Sequence, residues 1–180
     1  MTPAYGLAES VLYVAASRRP AGAAPTSLAL NRQALGEGRV VAATPGDAGT
    51  LMAVAVGTDR HAQHETLIVA VDSSTEQSPG HIGEIWVRGP SVARGYWNNP
   101  EVTASTFGAS LSDGRSGFLR TGDLGFIQEG RLYITGRSKE LLILNGRNLY
   151  PQDLEITIEQ ADPAFRTSSC AVFVPDEDSS

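Results

Sequence analysis

The sequence holds one cysteine, Cys170, so an intrachain disulfide is excluded. Three histidines and that cysteine lack the spacing of a metal-ligand set, and His61 and His64 read as solvated loop residues. Basic residues are short as well. Fourteen Lys and Arg stand against 20 Asp and Glu, for a formal net charge of −6. Nucleic-acid binding through phosphate neutralisation needs the opposite balance, and so does a basic membrane-surface patch. No apolar run approaches the roughly 20 residues that span a bilayer as a helix. The N-terminus MTPAYGLAES has no basic region ahead of its apolar residues. Together these absences point to a reduced, cytoplasmic setting with no membrane span and no nucleic-acid partner.

Glycine and proline are what the chain has in quantity, 19 and 10 among 180 residues. They cut it into short pieces. YGLAESVLYVAA (5–16) suits a strand end turning into a helix, and 18–27 is loop by composition. LALNRQALGEG suits a short helix stopped by Gly36 or Gly38. LMAVAVG, TLIVAVD and IGEIWVRG are β-favouring runs bounded by turn residues. In NNPEVTASTF, Asn99 suits an N-cap and Pro100 the first helical position. FLRTGDLGFI and GRLYITGR read as a hairpin, with turns at GDLGF and EG, and ELLILNGRNLY as strand and loop. Pro151 opens the helix PQDLEITIEQA, with Leu154, Ile158 and Ala161 at helical spacing. SCAVFVPD is a last strand of buried type with nothing after it to cover it, so the chain reads as cut from something longer. The fold class expected is mixed α/β and β-rich.

Three constellations carry chemistry. In Tyr5-Gly6-Leu7-Ala8-Glu9 an aromatic face suits a purine, Gly6 lets backbone approach a ligand, and the glutamate offers oxygen to Mg²⁺. In Thr121-Gly122-Asp123-Leu124-Gly125 a carboxylate can accept both hydroxyls of a ribose. In TGRSKELLILNGRNLYPQDLE, Arg137 is a planar five-donor cation suited to ribose or phosphate. Each has a plain alternative: a core tyrosine beside an exposed glutamate, a hairpin turn, a surface arginine at a strand end. Lys139 and Glu140 are by default solvated charges.

The order YGLAE, GEIWVRGPSVARGYWNNPEVTASTF, LRTGDLGF, LYITGRSKELLILNGRNLYPQDLE is similar to the back half of the adenylate-forming superfamily. Within it the chain resembles the fatty acyl-AMP ligases. GRNLYPQDLE is close to their GRNHYPQDIE, with Leu149 in place of histidine, and TGDLGF keeps Gly125 and Phe126. The interval from Glu9 to Gly83 is longer than a typical acyl-CoA ligase has, as a ligase-specific insertion near 28–57 would make it. Ala8 stands where many relatives have threonine, a change that these ligases tolerate.

The resemblance implies a distorted β-barrel subdomain followed by the start of a small α+β C-terminal subdomain. Residues 1–20 would end the α/β N-terminal subdomain, 21–137 would form the barrel-like part, and 138–180 the hinge and a truncated C-terminal start. It also implies roles. Tyr5 would stack on adenine with Gly6 beside it in the cofactor site, Asp123 would hold the ribose hydroxyls, Arg137 would contact the ribose, and Glu9 would ligate Mg²⁺. Lys139 would be the hinge between the two half-reactions. ATP and a fatty acid would give an acyl-adenylate, and the acyl group would pass to the phosphopantetheine thiol of an acyl carrier protein. The phosphate loop and the catalytic lysine of the family fall outside these residues, so the segment alone is expected to be inactive without the rest of the enzyme. A long-chain acyl-CoA ligase, an amino-acid-activating domain and a non-catalytic carrier-docking module remain as alternatives. Arg147 has no assigned role.

Overall fold

A computed structural model describes residues 2–17, 20, 22–57, 64–144, 147–162, 164–165 and 169–173. Its centre is a six-stranded antiparallel sheet. In chain order the elements begin with β1 (Ala4–Tyr5) and β2 (Ala15–Ala16), a minimal hairpin lying beside that sheet. The sheet takes β3 (Ser27–Asn31), β4 (Thr50–Gly57), β5 (Glu65–Val69), β6 (Gly83–Arg88), β7 (Leu119–Gln128) and β8 (Arg131–Arg137). Helix α1 (Arg32–Gly36) follows β3, and α2 (Pro100–Thr106) lies between β6 and β7. After β8 come β9 (Leu142–Leu144), β10 (Arg147–Leu149) and α3 (Pro151–Ala161).

The strand order is β3-β4-β8-β7-β6-β5. Among the described residues β3 and β5 do not pair, so the sheet is open rather than a closed barrel. β7 and β8 form the expected hairpin, but its turn is Glu129-Gly130 alone, with φ of 50° and 69°. Two positive φ values match the twist of a two-residue hairpin. GDLGF is not a turn. It runs inside β7 and shifts the register between Leu124 and Gly125. A Cβ on Gly125 would sit 2.3 Å from the Tyr133 carbonyl oxygen, so the strands approach there only because the side chain is absent.

Three apolar clusters hold the sheet. Leu30, Leu35, Ala55, Leu124, Phe126 and Tyr133 form one, with the Phe126 and Tyr133 rings stacked at 4.8 Å. Tyr5, Val14, Ile68, Ile85, Val87 and Leu132 join the β1–β2 hairpin to the sheet. Leu67, Val69, Trp86, Leu111 and Phe118 form the third. Residues 83–87 of β6 are all buried, which explains why GEIWV does not alternate polar and apolar.

Local chemistry explains the helices. Asn99 Oδ1 accepts from the Val102 N–H at 3.3 Å and Pro100 takes the first turn, as expected. Pro151 opens α3 likewise. Asn31 caps α1, accepting from the Ala34 N–H at 2.9 Å, so LALN is strand and only RQALG is helix. The helix expected within 5–16 does not form. After a 3₁₀ turn (Ala8–Ser10), Val11 and Leu12 take φ of 50° and 68°, which reverses the chain. Gly6 allows the return: its Cβ would fall 1.5 Å from the Leu12 carbonyl oxygen. In SCAVFVPD, residues 169–173 carry no strand and the remainder lies outside the described residues. No helix among the described residues is long and apolar enough to cross a membrane.

Candidate functional site

β7 and β8 place Asp123 directly opposite Arg137. Arg137 Nε lies 3.1 Å from Asp123 Oδ1. From the β1–β2 hairpin, the Tyr5 hydroxyl donates to Asp123 Oδ2 at 2.6 Å. Three of the residues singled out in sequence therefore meet on one carboxylate. Asp123 is 7% exposed. Burying a carboxylate is costly unless it is paired and hydrogen-bonded, and Tyr5 and Arg137 meet both needs. Arg137 itself is 65% exposed, which leaves its other N–H groups facing solvent.

Tyr5 is 9% exposed. Burial, and then its bond to Asp123, pushes its phenol well above the ordinary tyrosine range, so it remains a donor. Its ring offers little free face. The structure gives it a further part, as the clamp on Asp123.

The backbone around Asp123 is shaped by groups that the sequence reading passed over. Glu84 is buried on β6. Its Oε2 takes both Arg120 Nε (3.1 Å) and Nη2 (2.9 Å), and its Oε1 accepts the Gly122 N–H at 3.1 Å. Thr121 Oγ1 donates to the Ile85 carbonyl at 2.7 Å and accepts the Asp123 N–H at 3.1 Å. Gly122 takes φ 73°. Thr121 and Gly122 were legible as part of a motif; Glu84 and Arg120, a charged pair in a buried strand region, were the available signal for the rest.

Glu9 stands apart from that trio. No hydrogen bond or ion pair joins it to Tyr5, Asp123 or Arg137. It sits in the 3₁₀ turn Ala8–Ser10, where its Oε1 accepts the Tyr96 hydroxyl at 2.6 Å. That bond, more than desolvation, pushes the Tyr96 phenol up to about 12. Ser10 Oγ lies 2.9 Å from Ser91 Oγ, which is 2.5 Å from His64 Nε2. His64 is therefore part of a polar chain and not a solvated loop residue. His61 lies outside the described residues.

Among the described residues no cluster of three His, Cys, Asp or Glu forms a metal cage. Glu9, with one carboxylate oxygen taken by Tyr96, is a donor of the kind that suits Mg²⁺ held mainly by substrate phosphates. Lys139 lies exposed in a second 3₁₀ turn, Ser138–Glu140, directly after β8.

No family model matches the chain. Individual proteins do. It is 41% identical over 173 residues to the medium-chain-fatty-acid--[acyl-carrier-protein] ligase JamA of Moorena producens, covering 95% of this chain and 29% of that protein. It is 41% identical to the long-chain-fatty-acid--AMP ligase FadD26 of Mycobacterium tuberculosis, covering 97% of this chain and 30% of that one. The fold matches the fatty acyl-adenylate ligase of Legionella pneumophila solved with acyl adenylate and pyrophosphate. The TM-score is 0.70 at 38% identity, over 98% of this chain and 30% of that one. The chain is a homologue of the fatty acyl-AMP ligases. It spans less than a third of the length of the relatives it matches. The mixed, β-rich architecture matches the corresponding part of the Legionella pneumophila ligase, with the sheet open where a barrel was expected.

Proposed function

We propose that these residues form the nucleotide-holding part of a fatty acyl-AMP ligase. The longer enzyme joins a fatty acid to ATP as an acyl-adenylate, releasing pyrophosphate, and passes the acyl group to the phosphopantetheine thiol of an acyl carrier protein. The observation that carries this reading is the Asp123 carboxylate, buried and clamped between Tyr5 and Arg137 at the end of a strand pair. An ionised carboxylate has about four acceptor sites. Tyr5 and Arg137 use two, and two suit a pair of ribose hydroxyls.

In this reading Asp123 and Arg137 orient the ribose, Tyr5 fixes Asp123 and borders the base, and Gly6 lets the hairpin close around them. Glu9 supplies one oxygen to Mg²⁺, which offsets phosphate charge when bound. Acyl transfer of this kind draws on several positioned groups at once. Residues 1–20 close the N-terminal subdomain, 21–137 form the sheet-bearing one with its insertion near 28–57, and 138–180 begin the small C-terminal one. Lys139 is the hinge, and the protein is cytoplasmic.

Two assays test this. The isolated 180-residue segment is expected to show no ATP–pyrophosphate exchange above a Glu9→Ala control. The longer protein is expected to form acyl-adenylate and to load a holo carrier protein in preference to coenzyme A. Efficient acyl-CoA formation would replace this reading with an acyl-CoA ligase. Carrier binding without any adenylate would replace it with a docking module.

A further inference from the structure

Helix α2 buries none of its residues, yet it is capped at Asn99 and started by Pro100. A helix without a core face needs another reason to be in place. It holds the backbone of Tyr96. The Tyr96 N–H donates to Thr103 Oγ1 at 2.9 Å, and that hydroxyl lies 3.4 Å from the Tyr96 carbonyl. One turn on, Phe107 packs edge-on against the Tyr96 ring at 5.2 Å. Gly95 lets the loop come this close, since its Cβ would lie 2.3 Å from Thr103 Cγ2.

Tyr96 then reaches across 87 positions of sequence to Glu9 Oε1. The same loop grips the Glu9 turn twice more. The Ala93 N–H donates to the Glu9 carbonyl at 2.8 Å, and Ser91 meets Ser10. Among the described residues no hydrogen bond or ion pair engages Glu9 Oε2. A glutamate on a single 3₁₀ turn has several staggered rotamers open to it. Fixing one oxygen selects among them and leaves the other available.

We infer that Tyr96 is a positioning residue for Glu9, presenting its carboxylate as a one-oxygen ligand to the divalent cation of a bound nucleotide. This rests on the Proposed function assignment of Glu9. Partners that orient a metal ligand are worth about ten- to a hundredfold in metal affinity. Tyr96 is 38% exposed, so the lower end applies.

The test uses the full-length ligase containing this segment and measures Mn²⁺ binding in the presence of ATP, by electron paramagnetic resonance, alongside AMP binding without metal. Tyr96→Phe removes only the hydroxyl and keeps the ring on Phe107. It is expected to weaken Mn²⁺ binding about tenfold while AMP affinity and thermal midpoint stay unchanged. Glu9→Gln is expected to weaken Mn²⁺ at least as much, and Tyr13→Phe to change nothing. If Glu9→Gln weakens Mn²⁺ and Tyr96→Phe does not, the inference fails and the assignment of Glu9 stands. If neither variant changes Mn²⁺ binding, Glu9 is not a ligand and both fail. Equal loss of AMP and Mn²⁺ in Tyr96→Phe would make the role one of folding alone and overturn the inference.

Discussion

The single hydroxyl of Tyr5 has a measurable signature. Its folded-state proton affinity is raised, first by burial and then by the bond to Asp123. In an unfolded chain a tyrosine titrates near roughly pH 10. Above that pH the native state keeps a proton at Tyr5 that the unfolded state has lost. More protons bound in the native state means that stability falls as pH rises, while below about pH 10 the contribution is fully present. Denaturant midpoints from roughly pH 9 to pH 11 are therefore expected to fall less steeply in Tyr5→Phe than in the parent. Equal slopes would mean that the Tyr5 phenol is neither buried nor held by Asp123 in solution. At neutral pH, Asp123→Asn tests the same contact from the other side. A buried carboxylate that pairs with Arg137 becomes a neutral amide, and nucleotide affinity in the longer enzyme is expected to fall by about 1.5–3 kcal/mol, the scale of a hydrogen bond to a charged group. Calorimetric titration with AMP reads that loss.

A strand that carries a site must bend where the site needs it, and β7 does so with two glycines of different kinds. Gly122 takes φ 73° with open space around it. An alanine there meets only the left-handed backbone penalty, about 1–2 kcal/mol. Gly125 has a Tyr133 backbone oxygen 2.3 Å from the position of a Cβ, so an alanine there must push β7 off β8. Gly125→Ala is expected to cost about 3 kcal/mol, the upper end for overpacked cores, and Gly122→Ala clearly less. Chemical denaturation checks the order; the reverse order would place the tight approach elsewhere. The same contrast explains what was legible. Local rules wrote α2 and α3 into the sequence, because Asn99, Pro100 and Pro151 act on their own neighbours. TGDLGF looked like a turn because its glycines and aspartate are turn residues. Their real partners, Glu84 and Tyr133, lie on other strands, and no local pattern shows them. YGLAESVLYVAA failed as a helix for a similar reason. Its return depends on Gly6 meeting Leu12, a contact that periodicity does not encode. Tyr96 was hidden most fully, since its bond to Glu9 joins two motifs that were recognised separately.

At the scale of the whole molecule, the contacts beyond Lys139 decide how the C-terminal residues sit on the sheet. The Tyr150 ring lies against Gly136, where a Cβ would meet Tyr150 Cδ1 at 2.6 Å. On α1, Gly36 faces the Asn148 carbonyl, 3.0 Å from where its Cβ would be. Between them is a cavity of about 360 Å³ lined by Leu35, Leu51, Thr135, Leu149, Tyr150 and Leu154. So the docking is glycine-mediated and incompletely filled, which is weak packing compared with the sheet core. If residues beyond 138 rotate between two half-reactions, these contacts part while Asp123 and Arg137 stay on one rigid strand pair. The dihedral change then falls on the 3₁₀ turn at Lys139. Proline there locks φ near −65° and restricts the residue before it as well. On the hinge reading, Lys139→Pro in the longer enzyme is expected to hold acyl-adenylate formation within about threefold and to slow carrier loading by about tenfold or more, because a proline at the pivot impedes the rotation that only the second step needs. Acyl-adenylate should then accumulate in a single-turnover experiment, measured directly by chromatography. A variant that loses both steps to the same degree would move the pivot away from Lys139 and leave the turn with a purely structural part.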